Sequence, residues 1–148
     1  MTTDQYTALK AWIAEQEPGQ TAEQLHAALH TPSVPTRQLV PRWRVKEEMY
    51  CAGTWPLLLQ AQANADPQIA GLAATVVAYL SDPDFENLDI DRGEVAAMLA
   101  SLQAAGLLTT ELAATIDGMA DTLVSPAADL AIRPTLLDVI RAQREVQS

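Results

Sequence analysis

Apolar residues recur at the helical period along most of this chain, and the pattern is sharpest over Asp91–Thr109. There Val95, Met98, Leu99 and Leu102 fall at i, i+3, i+4 and i+7, which places four apolar side chains on one helical face. Asp91 stands where an N-cap belongs, and Glu94 three residues on completes a capping-box pattern. Gly106 is predicted to take the left-handed conformation that ends the helix, with Leu107 folding back on Leu102. Thr109 then caps the next helix.

The same signals divide the rest of the chain. Thr3 is predicted to cap a first helix with the stripe Tyr6, Leu9, Trp12 and Ile13, ended by Glu17-Pro18-Gly19. Thr21 and Gln24 form a second capping box, ahead of Leu25, Ala28 and Leu29. Pro32, Pro35 and Pro41 forbid a continuous helix, so Thr31–Val40 is expected to cross in extended form with Val34, Leu39 and Val40 tucked in. A strand there has no evident partner. A third helix is predicted from Arg42 to Cys51, ended by Gly53. Thr54 would cap a fourth helix, with Pro56 in its first turn and Leu57, Leu58, Leu59 and Ala61 buried. Asp66-Pro67 opens a helix over Pro67–Leu80, and Asp82–Leu88 reads as a polar loop. Beyond Thr109 come a helix around Leu112, Ile116 and Met119, a helical turn at Ser125-Pro126, and a last helix over Pro134–Val146 carrying Leu136, Leu137, Val139 and Ile140.

Composition sharpens the fold class. Hydrophobic residues make up 49% of the chain but aromatics only 5%, a balance that favours closely packed helices over strands. The expectation is an all-α fold: a single domain, residues 1–148, of about seven to eight short, irregularly packed helices around an extended Pro-containing crossing segment. Cys51 is the one cysteine, so no intramolecular disulfide forms and a reducing compartment suits the chain. MTTDQYTALK lacks the basic start and apolar core of a signal peptide, and runs such as Leu72–Leu80 are shorter than the roughly 20 residues that cross a bilayer. No membrane partner is expected.

The net charge of −10 argues against nucleic-acid binding unless cations cluster. They cluster once: Arg37, Arg42, Arg44 and Lys46 are four of the nine Lys and Arg residues, interleaved with Trp43, Tyr50 and Trp55. One reading makes Trp43 and Trp55 core residues and the cations a counterweight to the acidic remainder. The other makes Arg37–Trp55 a partner-binding surface, with Trp43 or Tyr50 as anchor and the arginines facing carboxylates.

Other constellations are weaker. His26 and His30 stand at i, i+4, but zinc needs three or four ligands and none is spaced nearby. The acidic run Asp82, Asp84, Glu86, Asp89, Asp91 and Glu94 fails as a calcium loop, since Asn87 replaces the turn glycine and Gly93 the bidentate glutamate. Ala104–Thr109 joins two helices, yet the following stretch Thr110–Asp121 has no Arg, Lys, Asn or Gln with which to read DNA. No G-x-S-x-G, phosphate loop or activated Cys–His pair is present. No catalytic residue, metal ligand or cofactor is therefore expected.

The order of features resembles a group of small helical proteins encoded among the virion and tail genes of tailed bacteriophages. The matching elements are Ala22–Thr31, Val34–Val45, Gly53-Thr54-Trp55, Asp82–Asp91, Val95–Thr109, Ser125–Leu130 and Thr135–Arg144. The resemblance implies a non-enzymatic structural or adaptor protein of the phage particle, made in the host cytoplasm. Its partners would be other virion proteins or copies of itself. The alternative is a soluble acidic inhibitor that mimics nucleic acid against a host factor.

Overall fold

The computed structural model describes Met1–Ser148 throughout, and the chain is mostly helical, with nine helices and two small two-stranded ladders. It divides into two compact units: Met1–Thr36 with Leu123–Ser148, and the inserted stretch Arg37–Thr122. Each unit has its own apolar core.

The first unit holds α1 (Thr3–Ala14), α2 (Ala22–His30), α8 (Pro126–Asp129) and α9 (Leu136–Gln147). Helix α9 packs on α1 and α2, and α8 packs on α2. Leu9, Ile13, Leu25, Leu29, Ala127, Ile132, Val139 and Ala142 close the core between them. Thr21 and Gln24 make the predicted capping box, and Thr135 with Asp138 makes another. At α1 the cap is Thr2, one residue before the predicted Thr3, because Gln5 is then placed to return a hydrogen bond. Lys10 pairs with Glu145 at 3.2 Å, fastening α1 to α9.

The second unit holds α3 (Arg42–Cys51), α4 (Thr54–Ala61), α5 (Pro67–Ser81), α6 (Gly93–Ala104) and α7 (Thr110–Gly118). Helix α4 packs on α3 and α5, α5 on α6, and α3 on α7. Asp66 caps α5 as its Asp-Pro start predicts, and Thr109 caps α7. The stop after α6 is the predicted one. Gly106 sits at φ 72°, its N–H bonds the Gln103 carbonyl at 3.0 Å, and the Leu107 N–H bonds the Leu102 carbonyl at 2.9 Å. Leu102 is fully buried, while Met98 and Leu99 are half-buried against the same core.

Several expectations yield to the structure. The predicted crossing does contain a strand, β1 (Val34–Arg37), and it has a partner, β4 (Asp121–Val124). The helix foreseen over Thr110–Asp121 therefore ends at Gly118. The loop after α5 likewise contributes β3 (Asn87–Leu88), antiparallel to β2 (Val40–Pro41), with Val40 opposite Leu88 and both buried. Leu39 is exposed rather than tucked in, since alternation along the extended chain buries Val40. Thr54 lies inside α4, buried, and Gly53 at φ 73° is the N-cap. Leu57 and Leu59 are exposed, because a single-sided helix cannot bury three consecutive leucines and Leu58 takes the inward place.

The capping box expected at Asp91 and Glu94 does not form. The N-cap of α6 is Arg92, with no side-chain cap, and Glu94 pairs with Arg92 at 3.2 Å. Asp91 is held elsewhere, by Arg37.

Candidate interaction surface

The residues of the basic segment take three different fates, set by where the backbone puts them. Arg37, the first residue of the second unit, is enclosed by carboxylates. Its Nη2 donates to Asp91 at 2.8 Å and to Asp117 at 2.6 Å, its Nη1 donates to Asp121 at 2.7 Å and to the Asp117 carbonyl at 3.0 Å, and its Nε donates to Asp91. Every donor direction of the guanidinium fork is engaged. These hydrogen bonds hold the guanidinium pKa above its ordinary value and, through Arg37, hold the Asp91 carboxyl below its own. Arg37 thus works inside the fold, joining the segments that carry Asp91, Asp117 and Asp121, and is withdrawn from the candidate surface.

Trp55 is also withdrawn. It is 3% exposed and belongs to the core of the second unit, as the core reading of the tryptophans holds for this one of the pair. It forms a platform rather than a contact. The Lys46 ammonium lies 4.5 Å from its ring centroid, and the Tyr50 ring sits beside it with centroids 5.7 Å apart.

What remains is the outer side of α3. Val45 and Met49 are its buried residues, so the helix turns Trp43, Glu47 and Tyr50 outward at i, i+4 and i+7. Trp43 is 64% exposed and Tyr50 54% exposed, an unusual display of large aromatic surface. Lys46 flanks this face, half-buried. Arg44 is exposed and lies about 100° around the helix from Trp43, so it borders the aromatic face from the other side. Arg42 is half-buried, with its Nη1 enclosed and without a hydrogen-bond partner, beside a shallow cavity lined by Pro41, Trp43, Glu86 and Asn87. Its backbone N–H is bonded to the Glu86 carbonyl at 2.9 Å. The structure therefore brings Lys46 and Tyr50 together over Trp55, with Trp43 on the same outward face and Arg42 and Arg44 at its margins.

The electrostatics single out the same helix. The second unit has five cations against twelve carboxylates. Arg37 and Arg92 are in ion pairs, whereas Arg42, Arg44 and Lys46 are in none. All three unpaired cations of the unit stand on α3. The start of α3 has no side-chain cap and no acidic residue in its first turn, so its positive dipole end adds to theirs.

Nothing in the sequence ties Asp91, Asp117 and Asp121, which decide the fate of Arg37, to the basic segment. No local spacing links position 37 to positions 91, 117 and 121. The i, i+7 spacing of Trp43 and Tyr50 was the available sign of a shared outward face.

Other clusters are confined to local packing. His26 and His30 meet edge to face with ring centroids 4.7 Å apart. No group of three or more His, Cys, Asp or Glu side chains converges in a geometry that could hold a metal ion. Cys51 is exposed and free, and no helix is long and apolar enough to cross a membrane. No known protein family, characterised protein or solved structure matches the chain.

Proposed function

We propose that this protein is a non-enzymatic binding protein that acts through protein–protein contact, with the outer side of α3 as its principal contact surface. The observation that carries this reading is the coincidence of exposed Trp43 and Tyr50 with Arg42, Arg44 and Lys46, the only cations of an acidic unit left without carboxylate partners. Aromatic anchors bordered by arginine are what binding hot spots are made of. An acidic partner surface would supply the missing carboxylates. Trp55 supports the face from beneath, holding Lys46 and Tyr50 in place and so reducing the side-chain entropy lost on binding.

The setting that fits the arrangement of elements along the chain is the virion of a tailed phage, where the protein would serve as a structural or adaptor component of the tail or particle. A second reading draws on the exposed carboxylates Asp84, Glu86 and Asp89, with half-buried Asp82 beside them, which a basic host protein could mistake for a nucleic-acid backbone. Quantitative mass spectrometry of purified particles separates the two. The adaptor reading expects the protein at a fixed copy number per particle. Its absence from particles, together with abundance in the infected cell, would overturn that reading in favour of the inhibitor.

A further inference from the structure

A second surface, independent of α3, lies on the antiparallel pair α5 and α6. Two cavities of about 350 and 440 Å³ run end to end between these helices and share Leu72 and Ser101, so together they form one trough. Ile69, Leu72 and Met98, half-buried against the core, form its floor. The α6 wall is low because it is built from Ala97, Ser101, Ala104 and Ala105. Two hydroxyls along the trough are engaged within their own helices: Thr75 Oγ1 donates to the Gly71 carbonyl at 2.9 Å, and Ser101 Oγ donates to the Ala97 carbonyl at 2.8 Å. The trough therefore has an apolar floor, with Gln68 and the Tyr79 hydroxyl among its polar lining. Its charged lining residues are carboxylates at the two ends, Asp66 and Glu94.

The chain also carries the complement of this shape and charge. Val139 and Ala142 face the core of the first unit, which turns Leu137, Ile140, Arg141 and Arg144 to the opposite side of α9. Leu137 is 76% exposed, the highest value of any large apolar residue here. Arg141 and Arg144 form no ion pair. Arg133, also unpaired, lies three residues before the helix begins. The outward face of α9 thus reads apolar, apolar, cation, with Leu137 and Ile140 followed by Arg141 and Arg144, against a trough whose apolar floor ends in carboxylates. The lengths agree as well: Glu94–Ala105 and Leu136–Gln147 each span about 17 Å at helical rise.

We propose that the α5–α6 trough takes the outward face of α9 from a second copy of this chain. Leu137 and Ile140 would fill the floor over Leu72 and Met98, and Arg141 and Arg144 would reach the carboxylate at one end of the trough. This is helix-in-groove recognition with a carboxylate fixing the register.

Sedimentation equilibrium of the full chain over a concentration series tests it with two variants. Ser101→Arg obstructs the trough at its waist, and Leu137→Asp removes the apolar anchor; both sites are exposed helical positions, and circular dichroism verifies that each variant is folded. The wild type should self-associate, and each variant should associate at least about tenfold more weakly, the scale of losing one buried anchor. An equimolar mixture should form a dimer that neither variant forms alone, since it contains one intact trough and one intact helix. A wild type that stays monomeric throughout would overturn the proposal and leave the trough to a helix of another protein. Variants that fail to complement each other, or that associate like the wild type, would overturn it equally.

Discussion

Arg37 grips Asp91 from two sides, with Nη2 2.8 Å from one carboxylate oxygen and Nε 3.0 Å from the other. Asp91 is the residue whose place in the sequence assigns it to cap α6, and the guanidinium has taken it. A charge-assisted, bidentate pair outweighs a single hydrogen bond to a helix N–H, so the local rule gives way to a contact 54 residues distant in the chain. Asp117 and Asp121 complete the cage, and one cation then organises three carboxylates that would otherwise repel each other.

The cage has a pH signature. Arg37 is pushed toward greater basicity and stays charged across the accessible range, whereas Asp91 is pushed toward greater acidity by its hydrogen bonds with Arg37. A carboxyl with a depressed folded-state pKa stabilises fully above its unfolded value, about 3.9, and loses that contribution as pH falls through the folded value. Arg37→Gln should therefore lower the melting temperature by a constant amount from neutral pH down to about pH 5, with the gap closing below about pH 4. Thermal melts of the two proteins across that range check it; a gap that is the same at pH 3 and pH 7 would assign Arg37 no part in the titration.

Along α6 the core contributions should be unequal. Leu102 is fully buried, so Leu102→Ala is expected to cost about 2–5 kcal/mol, and the half-buried Leu99 should cost less in the same substitution. Urea unfolding of both variants gives the order, and a larger loss at Leu99 would contradict the packing described.

Much of the helical skeleton was legible in the sequence because its signals are local. Thr21, Asp66, Thr109, Ser125 and Gly106 each act within a few residues, and each does in the structure what its neighbours predict. What escaped was set by distant partners. Strands of two and four residues, two of them containing proline, show no alternation long enough to read, and β1 meets β4, and β2 meets β3, across long intervening helical stretches. The basic segment was legible as a cluster but not as a surface. Its linear order places Arg37 and Trp55 beside Trp43, yet one is drawn into the carboxylate cage and the other into the core.

The two tryptophans therefore make a matched pair. Trp55→Ala should destabilise by about 3–5 kcal/mol, the cost of emptying a large core site. Trp43→Ala, at an exposed helical position, should change stability by no more than about 0.5 kcal/mol. Equilibrium unfolding of both shows whether the division between platform and contact is right; comparable losses would place Trp43 in the core as well.

Trp43→Ala combined with Arg44→Glu removes the aromatic anchor and reverses a bordering charge while leaving the core and the Arg37 cage untouched. On the proposed reading of the protein as a particle component, the decisive measurement is rebinding of this double variant to purified phage particles assembled without the protein. Wild-type protein should return to a fixed number of sites, and the folded double variant should bind at least about tenfold more weakly, since an anchor is lost and like charges meet where opposite ones had met. Double-variant protein that rebinds as tightly as the wild type, at the same copy number, would contradict the assignment of α3 as the contact surface.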